Sequence, residues 1–414
     1  MAPTEVPSPP AASRPRPSAG AGHRLAATHR VALLAGAVLF LVAHLPLLGT
    51  TLADIDAYNF ALGVQDYDPA LHQPHPPGYP LYIGLAKLST STLDAVRPEP
   101  AHGLAAGERN AAQGLAIWSA LGGTAAVLLL PLVFTSLSRA GKRSLDRRLP
   151  TVVGGATLLT VTCPLFWFSS GRPLSDIPGL AGALLAQAAI LAVYLRARDS
   201  RVAPWHLAGA AFLTTLVVGL RSQTMWLTLP LLAVVVAVRW RAVPRAEWWR
   251  AACAGLAGVL VWAVPMIAAS GGLAAYVGAL GAQGAEDFTG VDMLFRNPTP
   301  VRLAAGMVHT FVWPWASVPL GTVVLGLAAL GGCWLLVTAP RVLLIGLAAF
   351  GPYAVFHLLF HETITTRYAL PLVPPIAWLS AAGVAFAAGR LAAPALAAAA
   401  IWGLAVTWPA AIGY

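Results

Sequence analysis

The densest chemistry in this 414-residue sequence lies between residues 51 and 112. Asp54-Ile-Asp56-Ala-Tyr58-Asn59-Phe60 leads to Asp66, Asp68 and His72, and then to His75-Pro76-Pro77-Gly78-Tyr79-Pro80. A positioned carboxylate can take the proton of an attacking hydroxyl, an effect worth roughly 10²–10⁴-fold in rate. One of the two aspartates also suits the N-terminus of a short interfacial helix beginning near Ile55, where a side-chain oxygen caps free N–H groups. Capping does not call for both. In the hexapeptide, three prolines fix φ and withhold backbone donors, while Gly78 opens a conformation closed to other residues. The run is therefore a rigid turn, able to hold His75 and Tyr79 beside the aspartates or simply to redirect the chain. His72 and His75, with His361, Glu362 and His357 one helical turn before His361, have spacings that admit a divalent cation. Ordinary polar loop residues fit the same spacings. His44 and His309 fall in or near apolar segments, where packing is the simpler account.

These residues need a scaffold, and composition says which kind. Hydrophobic residues make up 57% of the chain and charged residues 10%, against about a quarter charged in a soluble domain. A water-facing surface cannot be covered with so little charge. Apolar runs near the roughly 20 residues that cross a bilayer core recur at 31–50, 113–135, 151–168, 178–195, 205–220, 224–238, 251–270, 317–337, 341–360, 368–389 and 392–409. The expected fold is an all-α polytopic integral membrane protein of about 11 transmembrane helices. Its helical outer loops would lie at 51–112 and 271–301, with further half-spans or interfacial helices at 78–93 and 302–315. Residues 1–22, rich in Pro, Ala and Ser, read as a disordered cytoplasmic tail, and 23–414 as one transmembrane domain with no soluble domain after it. The run 31–50 is longer than the apolar core of a signal peptide, and no small-residue cleavage site follows it.

A net charge of +10 would point a soluble protein toward nucleic acid, but here the basic residues sit in clusters between apolar runs. With the N-terminus in the cytoplasm, 18 of the 26 Lys and Arg fall on inner segments and 12 of the 16 Asp and Glu on the outer side. That is the positive-inside pattern, and it excludes nucleic acid as the partner. The acidic outer side reflects either longer outer loops or a reaction or ion site there. Cys163, Cys253 and Cys333 show neither metal-ligand nor disulfide spacing. Trp248-Trp249 and Trp313-Pro314-Trp315 fit aromatic belts at the membrane surface.

An acidic first outer loop followed by His-Pro-Pro-Gly-Tyr-Pro resembles the membrane-embedded glycosyltransferases of the GT-C superfamily, closest to the protein O-mannosyltransferase-like branch that carries this hexapeptide. Asp54-Ile-Asp56-Ala-Tyr58 is similar to the acidic pair and tyrosine of other branches, although the stretch between acid and hexapeptide is longer here. Gly171-Arg172-Pro173-Leu174-Ser175-Asp176 looks like the superfamily's second outer-loop acidic site. Thr366-Arg367-Tyr368-Ala369-Leu370-Pro371, with Pro374-Pro375, looks like its Arg-Tyr signature before a late span. The resemblance covers most of the chain. It implies a GT-C-like fold and a hexosyl or pentosyl transfer from a polyprenyl-phosphate-linked donor to a hydroxyl of a protein, glycolipid or polysaccharide. The reaction would take place on the outer face of a bacterial plasma membrane, with no cofactor beyond the divalent cation that the histidines admit.

On that reading Asp54 is the base, with Asp56 close behind, and Asp176 orients a substrate. Arg367, Arg172 and Arg221, with His75 and Tyr79, would hold the donor phosphate, which a guanidinium grips through paired hydrogen bonds. The plainer alternatives are arginines that snorkel at span ends and an Arg172–Asp176 salt bridge at helical spacing. Glu286, Asp287 and Asp292 would belong to an acceptor-side lid or simply be solvated. A rival from another class, a transporter or flippase for a lipid-linked sugar, calls for ionisable residues at midplane and often for internal repeats. No repeat is visible, and the charges gather at the outer mouth.

Overall fold

The computed structural model describes residues 19–98, 108–141, 148–198 and 205–412. Helix α1 (Ala19–His44) begins inside the stretch expected as a tail, so residues 19–22 are helical, while 1–18 lie outside the described residues. There follow α2 (Ile55–Gln65), α3 (Pro80–Val96), α4 (Glu108–Ser138), α5 (Leu149–Val161), α6 (Pro164–Ser169), α7 (Asp176–Arg198) and α8 (His206–Leu216). The second half holds α9 (Met225–Arg239), α10 (Arg245–Ala269), α11 (Leu273–Gly290), α12 (Pro300–Phe311), α13 (Val318–Thr338), α14 (Pro340–Phe360), α15 (Val373–Ala387) and α16 (Ala392–Ile412). Every regular element among the described residues is helical.

Among the described residues, eight segments are long and apolar enough to cross a membrane: Arg30–Leu47, Glu108–Ser138, Asp176–Ala197, Arg245–Ala269, Val318–Thr338, Pro340–Phe360, Thr366–Ala387 and Gly389–Thr407. The other three expected spans coincide with shorter apolar helices, Leu149–Val161, His206–Gly219 and Ser222–Val238. The chain is thus an all-α membrane protein. Where 151–168 was expected to run as one span, the helix breaks between α5 and α6. Cys163, the residue before Pro164, is extended at φ −62° and ψ 128°, as the proline ring demands of its predecessor. The helical outer loop expected at 271–301 consists mostly of α11. Trp249 is exposed as a belt residue would be, but Trp315 is buried and belongs to the core.

The larger buried cluster runs through α4, α5, α7, α9, α13, α14 and α15. Lipid tails are as apolar as leucine, so helices in a bilayer associate through packing and polar links rather than by leaving water. Gln187 on α7 supplies such links, donating to the carbonyls of Leu227 on α9 and Ala349 on α14 at 3.0 Å each. Ser380 on α15 donates to the Val324 carbonyl on α13 at 2.8 Å. A second, smaller cluster gathers Ala57, Phe60, Ala61 and Val64 of α2, Tyr82, Ile83 and Ala86 of α3, and Ala111, Ala112 and Leu115 of α4. The hydroxyls of Tyr82 and Ser89 close it by donating to the Leu115 and Gly114 carbonyls at 3.3 and 2.7 Å. Residues 55–96 are therefore a folded unit seated on α4, and it fixes where α2 begins.

Candidate active site

Helix α2 starts where the Asp54 carboxylate accepts a hydrogen bond from the Asp56 N–H at 3.0 Å. Asp54 is thus the cap that the sequence offered for one of the pair. Asp56, in the first turn, takes no backbone hydrogen bond on its side chain from the described residues and lies only 16% exposed. One turn on, buried Phe60 packs edge-on against Tyr79 and Tyr82, with ring centroids 4.9 and 5.2 Å apart.

The proline-rich turn is held on both flanks. Tyr67 donates to the Gly78 carbonyl at 3.0 Å, and Tyr276 of α11 donates to the Pro77 carbonyl at 3.4 Å. Gly78 has φ 94°, the left-handed region that glycine enters without steric cost. The turn places His75 with Nδ1 3.3 Å from the Asn59 amide nitrogen and Nε2 3.5 Å from the Tyr79 hydroxyl. The Asn59 amide donates, so Nδ1 accepts and the ring proton sits on Nε2, which lies 3.9 Å from Asp56 Oδ1.

Three more segments complete the cluster. Asp176 opens α7, where the helix dipole favours an acid, and is 6% exposed. One of its oxygens lies 3.1 Å from Arg221 Nη2 and the other 3.8 Å from Arg367 Nη1. Arg221 also donates to Ser175 Oγ at 2.8 Å. Arg367 Nη2 donates to Asp56 and, at 3.0 Å, to the Tyr368 hydroxyl, and lies 3.8 Å from Asp54. The Tyr368 ring sits 4.7 Å from the Arg367 guanidinium carbon and 5.8 Å from that of Arg221. Tyr353 anchors it from α14 by donating to the Tyr368 carbonyl at 2.7 Å.

Asp54, Asp56, Asp176, Arg221 and Arg367 thus converge from four separate stretches of chain, with His75 and Tyr79 beside them. Charge this deep is tolerable only when paired. Burial pushes the Asp56 carboxyl up, but the Arg367 guanidinium and His75 outweigh it and hold the group below the usual carboxylate range. Burial pulls His75 below the ordinary histidine value against the attraction of Asp56.

Several expectations are corrected. The Arg172–Asp176 salt bridge is not formed, because residues 172–175 precede α7 and lack the helical geometry that would bring i and i+4 together. Arg221 does not snorkel at a span end; it is buried against Asp176. Arg172 instead lies over the Phe168 ring, 5.1 Å from its centroid. It lines a cavity of about 470 Å³ with His44, Thr51, Ala53 and Trp167.

The metal candidates do not assemble. His72 ends a short 3-10 turn at φ 60°, Glu362 accepts from Thr365, and His361 stacks on Tyr368 at 4.2 Å with Nδ1 3.0 Å from that of His357. Among the described residues no group of three or more His, Cys, Asp or Glu is arranged to hold a metal ion. Of the other histidines, His44 packs in the core with both ring nitrogens near carbonyl oxygens, and His309 contacts Thr366.

Ser175, Asn59 and Tyr353 join the site without having been singled out in the sequence. Serine, asparagine and tyrosine are too common in such segments to have announced themselves. Set against known protein families, curated proteins and solved structures, the chain matches none.

Proposed function

We propose that this protein is a membrane glycosyltransferase that moves a sugar from a polyprenyl-phosphate-linked donor to an acceptor hydroxyl at the outer face of a bacterial plasma membrane. The observation that carries this reading is the meeting of three carboxylates and two guanidiniums, drawn from four chain segments, at the ends of apolar helices. Ionisable groups held among membrane helices are expensive and mark function.

In the transfer, the acceptor oxygen attacks the anomeric carbon while the bond from that carbon to the phosphate oxygen breaks. The electron pair of that bond stays on the phosphate, which leaves without an acid. The acceptor proton passes to a carboxylate. Such transfers go through an oxocarbenium-like transition state, and preorganised carboxylates stabilise the positive charge that develops.

Asp56 is the better placed base. Asp54, the first choice on sequence grounds, has Oδ1 engaged in the helix cap. Asp56 stays ionised through the physiological range because Arg367 and His75 hold its carboxyl low against burial. A weak base suffices, since the attacking hydroxyl turns acidic as its bond to carbon forms. The reading is tested with purified, reconstituted protein and a polyprenyl-phosphate sugar. Polyprenyl phosphate should be released only when an acceptor is supplied, and Asp56→Asn should lower that release by about 10²-fold or more at unchanged protein level. Full activity of Asp56→Asn would remove Asp56 from the mechanism.

A further inference from the structure

The cluster has an electrostatic consequence for the donor. Asp54, Asp56 and Asp176 present three carboxylates to the two guanidiniums of Arg221 and Arg367, each of which already faces at least one of them. A phosphate added there would bring further negative charge into a buried site with an excess of it, and desolvating unpaired charge is costly. The phosphate needs a cation that the carboxylates have not claimed.

Arg172 meets that description. Among the described residues it has no carboxylate in ion-pair reach, and its guanidinium rests on the Phe168 ring. It lines the cavity of about 470 Å³ whose walls are residues 46–51 and 53 on one side and 167, 168 and 171–173 on the other. The Gly49 N–H donates to the Gly171 carbonyl at 2.8 Å and joins the two walls. A side chain on Gly171 would meet the Leu47 carbonyl at 2.6 Å, so this approach requires glycine. Both walls lead into the carboxylate cluster: Ala53 precedes Asp54, and Pro173 lies three residues before Asp176. Helix α1 runs up to the cavity with Val38, Leu39 and Val42 exposed along its last turns and Leu45 exposed just past its end, an apolar track for a lipid chain.

We infer that this cavity is the seat of the donor's phosphate ester, with Arg172 as its cation, and that Arg221 and Arg367 order the carboxylates instead. The identity of the ligand rests on the transferase reading. The anomeric carbon then lies between a cation that receives the leaving phosphate and carboxylates that face the developing positive charge.

The test titrates purified protein, in nanodiscs of neutral lipid, with polyprenyl phosphate and, in a separate arm, with phosphatidylglycerol. Arg172→Gln should weaken polyprenyl phosphate binding about 10-fold or more, and Arg172→Lys less, because it keeps the charge and loses the paired geometry. Arg341→Gln, at an exposed position on α14, should bind as wild type, and all three variants should keep the wild-type thermal midpoint. No binding by the wild type, or unchanged affinity in Arg172→Gln, overturns the inference. If the wild type still releases polyprenyl phosphate from the sugar-linked donor in the latter case, the transferase reading survives that loss. Arg172-dependent binding by a protein that transfers no sugar keeps the anion seat and ends the transferase reading. Equal, Arg172-dependent binding of phosphatidylglycerol overturns the assignment to a donor and makes the cavity a headgroup site of the bilayer.

Discussion

At the start of α2 the two aspartates divide the available partners: Asp54 takes the N–H of Asp56, and Asp56 takes the guanidinium of Arg367. The division predicts separable mutants. Asp54→Ala should lose the cap and about 1 kcal/mol of stability, whereas Asp54→Asn should keep the cap, since asparagine serves almost as well. Thermal melts of the two variants check this, and equal melting of both would deny Asp54 its capping role. A pH prediction follows from Asp56 and His75. A carboxyl held low in the fold contributes stability that is fully present above its unfolded value near 3.9 and is lost only as pH falls through the lower folded value. His75, held low by burial, binds its proton more readily unfolded, so stability falls as pH drops below about 6.5. Melting temperature should therefore decline from pH 7 to pH 5, and His75→Gln should flatten the decline. An unchanged slope in that variant would remove His75 as its source. The aspartate pair was legible in the sequence because two acids flanking one residue exceed the needs of a cap. Which of them caps was not, because that turns on where α2 begins to within a residue.

The elements explain why distant residues meet. Asp176 opens α7, Arg221 lies between α8 and α9, and Arg367 sits in the 3-10 stretch Thr366–Leu372 before α15. Sequence spacing cannot pair residues across such distances, and the local rule that offered Arg172 to Asp176 failed because the chain between them is not helical. Breaking a buried pair from one side typically costs about 3–5 kcal/mol. Arg221→Ala should therefore lower the yield of folded protein sharply, while Arg172→Gln, which breaks no ion pair, should not. Comparable yields on gel filtration would contradict the burial of the Asp176–Arg221 pair. The hexapeptide was readable as a rigid turn because prolines and a glycine fix the backbone locally. Its tethers, Tyr67 and Tyr276, come from elsewhere in the chain and carried no local signal.

Over the whole molecule, length and apolarity were enough to locate the helices, because a bilayer forces every backbone polar group to be satisfied within its own segment. The break at Pro164 was harder to read. Short apolar runs with proline allow both a full and a broken span. Sidedness remains a prediction from charge. With the N-terminus inside, His72→Cys in a background without Cys163, Cys253 and Cys333 should react with a membrane-impermeant maleimide added to intact cells. Labelling only after the cells are broken would invert the topology and remove the cluster from the outer face. The central claim is that the carboxylate–arginine cluster transfers a sugar from a lipid phosphate. It meets its most direct test in one assay, the release of polyprenyl phosphate by purified protein given a polyprenyl-phosphate sugar and an acceptor. The account predicts acceptor-dependent release by the wild type and a loss of about 10²-fold or more in Asp56→Asn. No release by a folded, reconstituted wild type over a panel of lipid-linked sugars and acceptors would contradict it.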